Sequence, residues 1–133
     1  MSEPVRSPLS SPIAGSWRLT SWEVKKADGR VFLPFGKDLD GYIGYTAQKR
    51  VSVFMRLQQK FVFYAGTYDL EGNKVTHHIT VADRLSTEGR DLVRTVIFEG
   101  DRISLTTIEP PPRTLVENTE PGDTSRLVWE RVQ

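Results

Sequence analysis

The sequence predicts an all-β protein, an antiparallel up-and-down meander of eight to nine strands closed into a barrel. From Gly15 onward the chain is a series of short runs rich in β-branched and aromatic residues, with no 3.6-residue periodicity lasting more than two turns. The runs are punctuated by Asp28-Gly29, Gly72-Asn73 and Gly100-Asp101, pairs that tolerate the positive φ of tight hairpin turns. Consecutive hairpins must bury one face and hide two edges. Closing the sheet on itself does both, whereas an open sandwich needs crossing connections.

Met1 to Ala14 is rich in proline, serine and polar residues, and is expected to be a flexible N-terminal tail. It holds no apolar run long enough for a signal peptide or a membrane span, so the expectation is a cytoplasmic protein with no membrane partner. Residues 15–133 are expected to form a single domain. The strand candidates are Gly15 to Lys26, Arg30 to Phe35, Gly41 to Ala47, Arg50 to Leu57, Phe61 to Leu70, Lys74 to Ala82, Arg90 to Glu99, Arg102 to Ile108 and Ser125 to Val132. Glu109 to Thr124, with four prolines, reads as a long loop, and its Pro110-Pro111-Pro112 run favours an extended segment.

A net charge of +1 over 133 residues, with no clustered basic run, gives no reason to expect a nucleic-acid partner. The absence of cysteine removes disulfides, thiol catalysis and thiolate zinc sites. His77 and His78 are adjacent on a strand and face opposite ways, so they do not make a metal site. No cofactor is implied.

Hairpin register converts this outline into side-chain directions. With Gly72-Asn73 as a two-residue turn, Leu70 opposes Val75, Tyr68 opposes His77, Gly66 opposes Ile79 and Tyr64 opposes Val81, all on the more apolar face. With Gly100-Asp101 at the next turn, Phe98 opposes Ile103, Val96 opposes Leu105 and Arg94 opposes Thr107, and Leu92 continues that face. An even-length turn at Gln48-Lys49 groups Tyr42, Gly44, Val51, Val53 and Met55 inward, leaving Ile43, Tyr45 and Phe54 outside. The expected ligand contacts are therefore Arg94, His77, Tyr68, Tyr64, Tyr42, Met55 and Val96.

Arg94 is the most informative of these, because an unpaired guanidinium in a dry core is prohibitive. It needs a carboxylate such as Asp40 or Glu109, loop carbonyls, water or a ligand. His77 and Tyr68 are the candidates for catalysis, although no acidic residue shares the face of His77 to orient it as a base. At the chain ends, Trp17 and Arg131 fall on neighbouring strands of a closed meander, where a cation-π contact would cap the barrel. Arg126 competes with Arg131 for that place.

Gly15-Ser16-Trp17-Arg18-Leu19-Thr20-Ser21-Trp22-Glu23 resembles the start of the bacterial and fungal lipocalin-like domain proteins. The likeness continues in family order through Asp28-Gly29-Arg30, Pro34-Phe35-Gly36-Lys37-Asp38, Gly41-Tyr42-Ile43-Gly44-Tyr45-Thr46, Tyr64-Ala65-Gly66-Thr67-Tyr68 and Val75-Thr76-His77-His78. It ends with Gly100 to Leu105 and Leu127-Val128-Trp129-Glu130-Arg131. The resemblance implies a lipocalin-type β-barrel with an internal pocket, in a family whose members sometimes accompany small-molecule biosynthesis genes. The chain departs from it after Leu57, where only Gln58, Gln59 and Lys60 stand in place of a longer insertion. The mouth is then open, the barrel shallower, or the site completed by a homodimer partner.

Two functions from different classes fit these residues. One is binding of a small hydrophobic or amphipathic, acidic molecule with its polar end at Arg94. The other is a cofactor-independent cyclase or isomerase acting on a polyketide-like or terpenoid substrate, with Tyr64, Tyr68, His77 and Arg94 as donors. An interaction module using an exposed strand or the proline-rich loop is a third.

Overall fold

A computed structural model describes residues 12–84, 87–107, 115–116 and 119–132. Nine strands appear among them: β1 Gly15–Lys25, β2 Val31–Phe32, β3 Leu39–Tyr45, β4 Arg50–Leu57, β5 Lys60–Glu71, β6 Lys74–Ala82, β7 Asp91–Glu99, β8 Arg102–Thr107 and β9 Thr124–Arg131. Every pairing is antiparallel, and β1 pairs with β9 to close the barrel. Eight strands form the closed wall. The short β2 is an extra strand laid beside the second half of β1, whose first half pairs with β3.

In β1, Trp17 and Leu19 face inward, then Trp22 and Val24, so the alternation slips by one residue. A bulge between Leu19 and Ser21 against β9 absorbs the slip, and the Thr20 hydroxyl donates to the carbonyl of Val128 at 3.0 Å. This lets one long strand keep its large side chains inside while the barrel wall bends. Phe35, from the end of the expected second strand, instead turns inward and meets the Trp22 ring edge-on with centroids 5.2 Å apart.

Register agrees with the expectation at both glycine-marked two-residue turns. Leu70 pairs with Val75 and Tyr68 with His77, while Phe98 pairs with Ile103 and Val96 with Leu105. Gly72 and Gly100 have φ of 62° and 63°, and Gln58 takes 58° at the Leu57–Lys60 turn. In each turn only the first central residue is left-handed, the pattern of type II′.

Two expected faces are wrong. The turn after β3 is odd: Thr46 and Arg50 bracket three residues, Lys49 takes φ 67°, and Tyr45 pairs with Val51. Inside, Val51, Val53 and Met55 are joined by Ile43 and Tyr45, whereas Tyr42 and Gly44 lie outside with Ser52 and Phe54. Tyr42, expected in the pocket, is exposed beneath the guanidinium of Arg18. The second error is in β6, where a bulge opposite Ala65 and Gly66 turns Val81 outward and brings Ala82 in. Gly66 permits it, since a Cβ there would overlap the carbonyl oxygen of His78.

One end of the barrel is sealed by the chain's own ends. The guanidinium of Arg131 lies 4.1 Å from the centroid of the Trp17 ring and donates to the carbonyls of Ala14 and Pro12. Trp17 Nε1 donates to the carbonyl of Ile13 at 2.9 Å, and Ile13 is fully buried. Residues 12–14 are thus tied to this end of the barrel. The glycine at 15, with φ 128°, leaves room for Arg131, because a Cβ there would stand 2.7 Å from its Nη1.

Candidate functional site

The barrel interior divides along its length. Toward the sealed end Trp17, Val51, Tyr68, Val75, Val96 and Ile103 are all buried, and none of them lines the interior cavity at the other end. Tyr68 meets Tyr45 edge-on at 4.8 Å and donates to the carbonyl of Thr46 at 2.8 Å. The backbone N–H of Val96 donates to the Asn73 carbonyl at the β5–β6 turn. Tyr68 and Val96, expected as ligand contacts, therefore belong to the packed end. Their faces were predicted correctly, but face alone does not fix height in the barrel.

Toward the other end lies a cavity of about 350 Å³, within the range typical of small-molecule sites. Its apolar wall includes Ile43, Val53, Met55, Leu92, Leu105 and Leu127, with the indoles of Trp22 and Trp129. The β6–β7 connection contributes Asp83, Arg84, Thr87 and Arg90, and Leu115 comes from the segment before β9. Lys60 Nζ donates to the Leu115 carbonyl at 3.3 Å, which ties that segment to the start of β5. The short turn at Gln58-Gln59 thus does not leave this side bare. The proline run at 110–112 lies outside the described residues, as does Glu109.

Arg94, His77, Tyr64 and Met55 do meet at this cavity. Arg94 is half-buried, and its one hydrogen bond among the described residues goes to the carbonyl of its neighbour Val93 at 3.2 Å. No carboxylate pairs with it there. Arg84 and Arg90, not singled out from the sequence, add two more guanidinium groups, against the carboxylate of Asp83 alone among the described residues. Arg84 sits in the β6–β7 connection, where no periodicity points to it, whereas Arg90 falls just before β7 and continues the alternation of Leu92 and Arg94.

His77 is almost wholly buried between two tyrosines: Tyr45 Oη lies 2.7 Å from Nε2, and Tyr64 Oη lies 2.8 Å from Nδ1. Burial, with Arg94 and His78 adding repulsion, lowers its pKa to about 3, so the ring is neutral at physiological pH. Burial also raises the phenols of Tyr45 and Tyr64, with Arg94 pulling each the other way. Both ring nitrogens of His77 are engaged and the ring is hard to protonate, a poor arrangement for a general base at neutral pH. The site offers hydrogen-bond donors and positive charge around an apolar hollow.

His78, on the outer face, makes 2.8 Å and 2.9 Å contacts with Asp91 and Asp69. The hydrogen bond to Asp91, then that to Asp69, raises its pKa. Among the described residues no group of three or more histidine or acidic side chains is placed to hold a metal ion.

Residues 14–60 match the lipocalin-like domain family. No curated protein sequence matches the chain. Among solved structures, a lipocalin-like protein from Bacteroides uniformis has a TM-score of 0.53 at 14% identity, over 90% of this chain and 98% of that one. The lipoprotein YedD from Klebsiella pneumoniae has a TM-score of 0.48 at 12% identity, over 97% of this chain and 79% of that one. The family match and the first of these structures bear out the lipocalin-like barrel expected from the sequence. At that identity the structural likeness shows the fold alone.

Proposed function

We propose that the protein binds a small amphipathic acid, its apolar body in the barrel cavity and its acidic group at Arg94. Arg94 carries the reading: a half-buried guanidinium on the cavity wall, with no carboxylate partner among the described residues. Leaving such a group without a strong acceptor is costly, and a bound carboxylate supplies one. Arg84 and Arg90 favour the same sign of ligand, because among the described residues they outnumber the one carboxylate lining the cavity. The apolar wall suits a short alkyl or aromatic body.

Calorimetric titration with decanoate, and with decanol as the uncharged match, tests this. Decanoate is expected to bind and decanol to bind more weakly. Arg94→Leu should weaken decanoate by about 10- to 100-fold, the worth of one charge-assisted hydrogen bond, while decanol changes little. Equal binding of the two ligands, or unchanged decanoate affinity in a folded Arg94→Leu protein, would sink the proposal.

A further inference from the structure

We infer that Tyr45 and His77 act together to make Tyr64 a dedicated hydrogen-bond donor to the cavity, so that the ligand meets it with an acceptor oxygen. The inference rests on the reading of the cavity as a ligand site, and it follows from counting protons. A neutral imidazole has one N–H and one bare nitrogen. Of its two tyrosine partners, one must donate to the ring and the other must accept from it.

Tyr45 is almost entirely buried, and among the described residues Nε2 of His77 is its hydroxyl's sole hydrogen-bond partner. If Nε2 carried the proton, Tyr45 would have to accept it, and its own O–H would be left with no acceptor in a dry core. The buried hydroxyl therefore donates to Nε2. This places the ring proton on Nδ1, which donates to Tyr64 Oη at 2.8 Å. With one lone pair taken by that N–H, and no other hydrogen-bond partner among the described residues, the Tyr64 hydroxyl is free to direct its own proton to whatever occupies the cavity it lines.

The direction of this relay is fixed by a residue that never touches the cavity. Tyr45 is absent from the cavity wall, so it and His77 are positioning residues, while Tyr64 is the contact. A carboxylate or carbonyl oxygen beside Tyr64 and Arg94 would receive two donors. A ligand presenting a hydroxyl or amine proton there would leave both of these donors without an acceptor. The paired donors of Tyr64 and Arg94 thus favour an acceptor group at this point of the wall, in addition to favouring negative charge.

The chain has two histidines, so His78→Gln leaves His77 as the only one, and nitrogen-15 NMR of that variant reads its tautomer directly. The Nδ1-protonated form is expected without any ligand. An Nε2-protonated ring, or an even mixture, would overturn the inference whatever the cavity binds. Tyr64→Phe keeps the ring and removes the donor, and decanoate affinity should fall about tenfold or more. If Arg94→Leu weakens decanoate but a folded Tyr64→Phe protein does not, the relay inference fails while the proposed function stands. If decanoate does not bind the native protein at all, the proposed function fails, and the tautomer still decides the direction of the relay.

Discussion

Replacing Arg131 with leucine should destabilise the protein at the sealed end of the barrel without touching the cavity. The side chain holds three things together: it stacks on the Trp17 ring at 4.1 Å, and it donates to the Ala14 carbonyl at 3.0 Å and the Pro12 carbonyl at 3.1 Å. A partly desolvated cation-π contact contributes about 0.5–2 kcal/mol. Each hydrogen bond contributes roughly 0.5–1.5 kcal/mol, and losing both releases the segment that carries buried Ile13. The expected loss is about 2–4 kcal/mol, read from urea unfolding as a lower midpoint at unchanged slope. For a domain of this size, that corresponds to a Tm lower by roughly 6–16 °C.

Arg126→Leu is the matched control. Arg126 lies 3.5 Å from Glu23 in a partly exposed pair on the outside of the wall, worth about 0–1 kcal/mol. Equal losses in the two variants would refute the assignment of the end cap to Arg131. Decanoate binding by the Arg131→Leu protein should persist wherever it remains folded, because neither Trp17 nor Arg131 lines the cavity. Loss of binding with the fold intact would show that the two halves of the barrel are not separable as described.

Gly66→Ala should destabilise the protein by more than about 3 kcal/mol, since its Cβ would overlap the His78 carbonyl and the clash involves backbone rather than a flexible side chain; unchanged thermal stability would argue against the β5–β6 bulge. The two histidines should give opposite pH dependence. His77, with a folded pKa of about 3, must stay neutral while the unfolded chain protonates near pH 6.5. Stability is therefore lost as pH falls below about 6.5, at up to roughly 1.4 kcal/mol per pH unit. His78 has a raised folded pKa, so its contribution is full below about pH 6.5 and lost as pH rises through the folded value. Urea unfolding of His78→Gln across this range should abolish the alkaline loss and keep the acid one, and a retained alkaline loss would assign it to another group.

What the sequence made legible, and what it hid, follows from the turns. Where a two-residue turn is announced by glycine, at Gly72-Asn73 and Gly100-Asp101, parity is fixed, and the inward faces of β5 to β8 follow as far as the first bulge. The same three-residue loop occurs at two other places. At residues 26–30 its left-handed position is filled by Gly29, with φ 95°, and at residues 46–50 by Lys49, with φ 67°. A lysine in the left-handed region carries no sequence signal, so the odd turn passes for an even one and all of β3 flips. The cost of that single parity error falls on the site. It puts exposed Tyr42 in the pocket and hides Tyr45, the residue on which the direction of the His77 relay depends. Arg84 is hidden for a different reason, since a connection between strands has no periodicity to say where its side chains point, whereas Arg90 is legible as the next step in the alternation of Leu92 and Arg94. Pattern reading thus recovers a barrel wall more readily than the connections at its mouth, where Arg84 joins the other arginines of the proposed site.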